Sequence, residues 1–222
     1  MATISKFQLR IYHDHFTEEA EAELPPGRRI MYCVAGCAEI SDAKKNETIK
    51  GDDAWFSTHK TKVRGKDEGA CIWRWELVAP DTASGEIKSE GIKSRIAGDY
   101  AIEIDTSIKR LMRLDRVSFP LGGEALTHTH AAAGVRCLLE GNLLVDSVGH
   151  RYRVWPGDPW VEHGPDSVYA KASEHQLSSF VRVMIVPEEY KGRSTITYVK
   201  AEDKEKPKSQ SYKRYLEEPI SL

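Results

Sequence analysis

The sequence predicts an all-β protein made of two tandem antiparallel β-barrels, and three observations lead there. Short segments rich in β-branched and aromatic residues recur along the chain. Gly, Pro, Asp and Asn separate them, as turns between strands require. One arrangement of strand, hairpin and turn also occurs twice, at an offset of about 105 residues, the mark of a duplicated unit.

Taken in chain order, the first helix candidate is FTEEAEAEL (16–24), which is short. RIMYCVAGCAEI (29–40) and ACIWRWELV (70–78) then read as strands. Residues 79–98 (APDTASGEIKSEGIKSRIAG) are polar and glycine-containing, as a connector should be. TSIKRLMRL (106–114) is a second short helix candidate, and VRCLLEGNLLVD (135–146) and FVRVMIV (180–186) are strands. The repeat is visible within these. Each copy has an apolar strand ending in Gly (Gly36, Gly141), a hairpin, a Gly-Asp pair (Gly51-Asp52, Gly157-Asp158) and a tryptophan (Trp55, Trp160). The expected domains are therefore 1–100 and 101–200. The charged segment 201–222 is expected to be a polar tail, either disordered or lying on a neighbouring molecule.

Composition narrows the function. The 222 residues are 40% hydrophobic and 30% charged, a globular mixture, and 32 Lys plus Arg against 34 Asp plus Glu give a net charge of -2. No basic field draws in nucleic acid or anionic lipid, so neither is an expected partner. No apolar run approaches the roughly 20 residues that span a bilayer, and the N-terminus has no secretory h-region; the expected location is cytoplasmic. Cys33, Cys37, Cys71 and Cys137 are scattered through apolar segments without a CxxC pair, which suits reduced thiols.

GGEALTHTHAAAGVRCLLEG (122–141) followed by WPGDPWVEHGPDSVYAKAS (155–173) resembles the two signature stretches of the cupin superfamily, and the repeat makes the whole chain resemble a bicupin. The resemblance implies small antiparallel barrels. It also implies, in many members, a divalent metal (Fe, Mn, Ni or Zn) held by two histidines and a Glu of the first stretch and a histidine of the second. His128 and His130 match the histidine pair, whereas the Glu position falls at Gly134 and the last histidine at Val168 or Tyr169.

His-x-His suits ligation because residues two apart on a strand point to one side. Glu162, if it points inward, completes a two-His-one-carboxylate set for a metal at His128 and His130 and serves as a catalytic carboxylate; His163, lying opposite by alternation, does not. Tyr169 is a second catalytic candidate through its phenol, and His175 and Gln176 lie a few residues beyond. Arg136 shares the parity of His128 and His130. Inside a barrel its guanidinium needs a carboxylate, supplied either by an acidic substrate or by Glu162. Trp160 and Tyr152 are candidates for pocket walls, with core packing as the other role for each. In the first half the matching positions are Glu23 and Pro25; His13 and His15 come about ten residues too early, His59 stands alone, and that barrel is expected to be structural.

The function expected from these residues is that of a metal-dependent enzyme, dioxygenase-type, acting on a small acidic organic molecule. The competing reading is a non-catalytic ligand-binding or sensor cupin that has lost its metal. Exposed barrel edges predict a homodimer.

Overall fold

The computed structural model describes residues 2–222 and divides them into two compact units, Lys6–Ile102 and Glu103–Leu222, the latter joined by residues 2–5. The chain is all-β, with only two 3-10 turns, Glu188–Tyr190 and Ala201–Glu205, as helical elements among the described residues. No helix is long and apolar enough to cross a membrane.

The first unit is built from β1 (Ile4–Phe16), β2 (Glu21–Leu24), β3 (Arg28–Ser41), β4 (Asn46–Lys50), β5 (Ala54–Ser57), β6 (Thr61–Val78) and β7 (Ile92–Asp105). They form one sheet in the order β4-β3-β6-β1-β7, with β2 added to β6 and β5 to β3. The long β6 pairs with β3 on one side and, on the other, with β1 through Ala70–Val78 and with β2 through Thr61–Arg64. Its core gathers Phe16, Leu24, Met31, Ile40, Trp55 and Ile72.

The second unit contains β8 (Arg110–Phe119), β9 (Glu124–His130), β10 (Gly134–Glu140), β11 (Leu143–Ser147), β12 (His150–Val154), β13 (Pro159–Glu162), β14 (Val168–Ala172), β15 (Ser178–Pro187), β16 (Ile196–Tyr198) and β17 (Ser211–Ile220). These make two five-stranded sheets, β13-β10-β15-β8-β17 and β12-β11-β14-β9-β16. Phe119, Leu138, Trp160 and Phe180 of the first meet Leu143, Val145, Val154 and Val168 of the second in a single core, so the sheets face each other.

The sequence repeat corresponds to repeated strand pairing. Met31 lies opposite Trp55 on β5 and Arg74 on β6; Arg136, at the same distance before its glycine, lies opposite Trp160 on β13 and Arg182 on β15. Gly36 and Gly141 both have φ in the left-handed region, at 76° and 73°. A Cβ at either would overlap a carbonyl oxygen, that of Gly69 or of Leu177.

Three expectations are corrected. Residues 16–24 are not helical: Glu21 and Glu23 are exposed while Ala22 and Leu24 are buried, a period-two pattern that four residues of β2 satisfy. Residues 106–114 end in β8, whose residues Arg110–Asp115 are buried without a break, so burial on both faces left no strand alternation to read. The tail is not disordered but forms a strand. Lys213 and Arg214 lie opposite Arg116 and Asp115, and β17 closes the edge of β8.

Candidate functional site

Strand β9 places His128 and His130 on one face, both buried, as alternation requires. His128 Nδ1 lies 2.7 Å from the carbonyl oxygen of Leu126; a carbonyl only accepts, so Nδ1 carries the proton and Nε2 keeps its lone pair. His130 Nδ1 lies 3.1 Å from Thr195 Oγ1. The two Nε2 atoms face each other at 3.2 Å. Burial lowers the pKa of both rings, that of His130 to about 3, so each is a neutral imidazole at physiological pH.

Glu162, at the end of β13, is buried beside them. Its Oε2 is 3.4 Å from His130 Nε2 and 2.6 Å from Arg136 Nη2, and its Oε1 accepts the Trp160 indole N–H at 3.0 Å. Burial alone would raise its pKa, but Arg136 and the His130 and Trp160 bonds outweigh that and hold the carboxylate ionised far below the usual range. Arg136 is 0% exposed. It donates from Nη1 to the Gly134 carbonyl at 2.5 Å, while its Nε has no acceptor among the described residues. Burial, only partly offset by Glu162, brings its pKa down to about 10.

Around this polar cluster Val117, Phe119, Trp160, Val168 and Phe180 wall a chamber of about 30 Å³, together with both histidines and Glu162. The chamber shares Arg182, Ile196, Gln210 and Tyr212 with an outer cleft of about 430 Å³, which is also lined by Arg113, Asp115, Ser194, Thr195, Lys208 and Arg214. Arg182 is held by Asp115, Nε to Oδ1 at 2.5 Å and Nη2 to Oδ2 at 3.3 Å.

Of the residues singled out by sequence, His128, His130, Glu162, Arg136 and Trp160 come together. Arg136 does so as the partner of Glu162: it lines neither cavity, which corrects its reading as a substrate anchor. Tyr169 is corrected as a catalytic group. Alternation on β14 buries Val168 and Ala170 and turns Tyr169 away from the chamber, toward Glu124. Tyr152 packs on the core and lines neither of these two cavities. His163 and His175 are exposed.

Arg182, Thr195, Lys208 and Tyr212 were not among the sequence candidates. Arg182 had a visible signal, a lone charge inside the apolar run FVRVMIV; the others come from segments without strand patterning.

Among the described residues no three His, Cys, Asp or Glu side chains are grouped to enclose a metal: Glu162, expected as the third ligand, has its oxygens held by Arg136 and Trp160. The imidazole pair itself fits a divalent cation. Two nitrogens bound at about 2.0–2.1 Å with a near-tetrahedral angle stand roughly 3.3 Å apart, and the two Nε2 atoms are 3.2 Å apart.

No protein-family model and no curated protein matches the chain. Solved structures do. The oxalate decarboxylase formate complex of Lactobacillus farciminis matches with a TM-score of 0.64 at 12% identity, over 90% of this chain and 82% of its own. The chain has a cupin fold. AerE from Microcystis aeruginosa matches with a TM-score of 0.57 at 12% identity, over 81% of this chain and 87% of its own. The 11S globulin from Wrightia tinctoria, whose structure is described as revealing an auxin binding site, matches with a TM-score of 0.63 at 6% identity, over 86% and 77%. At such identities the likeness concerns the fold alone.

Proposed function

We propose that the chain is a two-barrel cupin enzyme acting on a small organic acid, dioxygenase-type in its chemistry, with a divalent metal held by His128 and His130 and with Glu162 as the nearest third donor. One observation carries this reading: two buried, neutral imidazoles present their Nε2 atoms to each other at 3.2 Å in the wall of a chamber that continues into an open cleft. His128 Nε2 offers a lone pair; His130 either shares an Nε2–H with it and with Glu162 or, as the tautomer that donates Nδ1–H to Thr195, turns a second lone pair toward a cation.

A bound divalent ion would supply Lewis acidity, at positions the protein leaves open. The chain's own residues do the rest. Thr195 and the Leu126 carbonyl orient the two rings through their Nδ1 atoms. Arg136 and Trp160 keep the Glu162 carboxylate ionised and immobile beside His130, and the aromatic walls limit water. Only a small group of the substrate enters the chamber, since about 30 Å³ admits one or two water-sized groups.

A second reading, a ligand-binding cupin without metal, is favoured by one feature: the carboxylate beside the imidazoles, Glu162, is engaged by Arg136, and Gly134 replaces the Glu of the cupin pattern. Elemental analysis of protein purified without chelator or nickel resin separates the two. The enzyme reading expects near-stoichiometric metal, lost in His128→Ala and His130→Ala. A folded wild-type protein that takes up no Fe, Mn, Ni or Zn overturns it in favour of the second.

A further inference from the structure

The outer cleft has a charge that the chamber does not explain. Arg113, Arg182, Lys208 and Arg214 line it, against Asp115 in the lining and Glu217 behind it. Glu217 is shared between Arg113, at 2.6 Å, and Arg214, at 3.2 Å; Asp115 is taken by Arg182. Four cations facing two carboxylates leave two positive charges uncompensated. One belongs to Lys208, an exposed residue for which no carboxylate partner is found among the described residues and whose Nζ stands 5.8 Å from the centre of the Tyr198 ring. The other lies on Arg113 and Arg214, two cations that share one Glu217; Arg182, whose charge Asp115 balances, still keeps Nη1 outside that pairing and lies at the junction, lining both cleft and chamber. The volume of about 430 Å³ suits a small organic molecule, and Ile196 and the Tyr212 ring give it apolar surface.

We infer that this cleft recognises a doubly charged organic anion, a dicarboxylate, anchored by Arg182 at the chamber end and by Lys208 at the rim. A fork-shaped guanidinium suits a planar carboxylate, and a flexible ammonium suits the more exposed second charge. The C-terminal segment thereby has a role in recognition, because Lys208, Gln210, Tyr212 and Arg214 all come from it. The inference deepens the reading of the chamber as the reacting site and rests on it for the orientation of the substrate, though not for the anion preference itself.

Isothermal titration of the full-length protein with phthalate, benzoate and benzamide tests it, since the three share a ring and carry two, one and no charges. Phthalate should bind about tenfold tighter than benzoate, benzamide should not bind measurably, and salt should weaken the acids. Lys208→Met, at an exposed position, should bring phthalate down about tenfold, to the level of benzoate. Arg182→Lys should weaken both acids. Equal binding of phthalate and benzamide, no binding of phthalate to wild type, or an unchanged phthalate affinity in Lys208→Met overturns the inference. Metal content measured on the same samples separates the two claims: Lys208-dependent phthalate binding without metal leaves the inference standing and removes the metal, while metal without anion preference does the reverse.

Discussion

Arg136→Met leaves the Glu162 carboxylate buried without its cation. In the native protein Arg136 is 0% and Glu162 8% exposed, and their nearest charged atoms are 2.6 Å apart. Removing one partner of a buried pair costs about 3–5 kcal/mol, because the remaining charge keeps its desolvation penalty. The His130 and Trp160 contacts to Glu162 survive and keep the loss toward the lower end, while the bond to the Gly134 carbonyl disappears. In a chain of this length about 2–4 °C of melting temperature corresponds to each kcal/mol, so the midpoint should fall by roughly 6–16 °C. Thermal unfolding followed by circular dichroism, on Arg136→Met, Glu162→Gln and the double variant, makes a double-mutant cycle. The double variant should be more stable than Arg136→Met, since it removes the stranded charge. A loss below about 1 kcal/mol in Arg136→Met, or strictly additive effects, would refute the view that the two charges exist for each other.

Other expectations follow from single contacts. His13 stacks on Trp73 with ring centres 5.2 Å apart; burial and then Arg95, whose Nη2 donates to His13 Nδ1 at 2.8 Å, lower its pKa to about 4. The unfolded chain therefore binds the extra proton first, so stability should decline as pH falls from about 6.5 to about 4, by up to about 3 kcal/mol. Urea titrations of wild type and His13→Phe across that range should show a shallower slope in the variant; parallel slopes would sink the assignment. Gly141→Ala should lose at least about 2 kcal/mol in the same assay, since φ is 73° and the new Cβ overlaps the Leu177 carbonyl. A near-neutral Gly141→Ala would mean that the turn relaxes freely. Ending the chain at Glu205 removes β17 and bares the β8 edge, so size-exclusion chromatography should show self-association or loss of soluble protein. A stable, monodisperse truncated chain would show that β17 is dispensable.

Much of this protein is set by local pattern. Short apolar segments punctuated by Gly, Pro and Asp required strands, the two glycine-ended copies required the same left-handed turn twice, and the spacing of His128 and His130 put both rings on one face, since strand alternation is a property of the backbone alone. What stayed hidden depends on partners distant in sequence. β8 lost its alternation because both its faces are covered, and the charged tail became a strand because β8 had an edge to offer. Parity allowed Arg136 to face either a substrate or a carboxylate, and only the pairing of Gly134 with Glu162 across β10 and β13 decided for the carboxylate. The cleft, too, joins residues as far apart as Arg113 and Arg214. Its excess positive charge is a sum over side chains that only tertiary contact brings within a Debye length of one another, so no local reading of the sequence contains it.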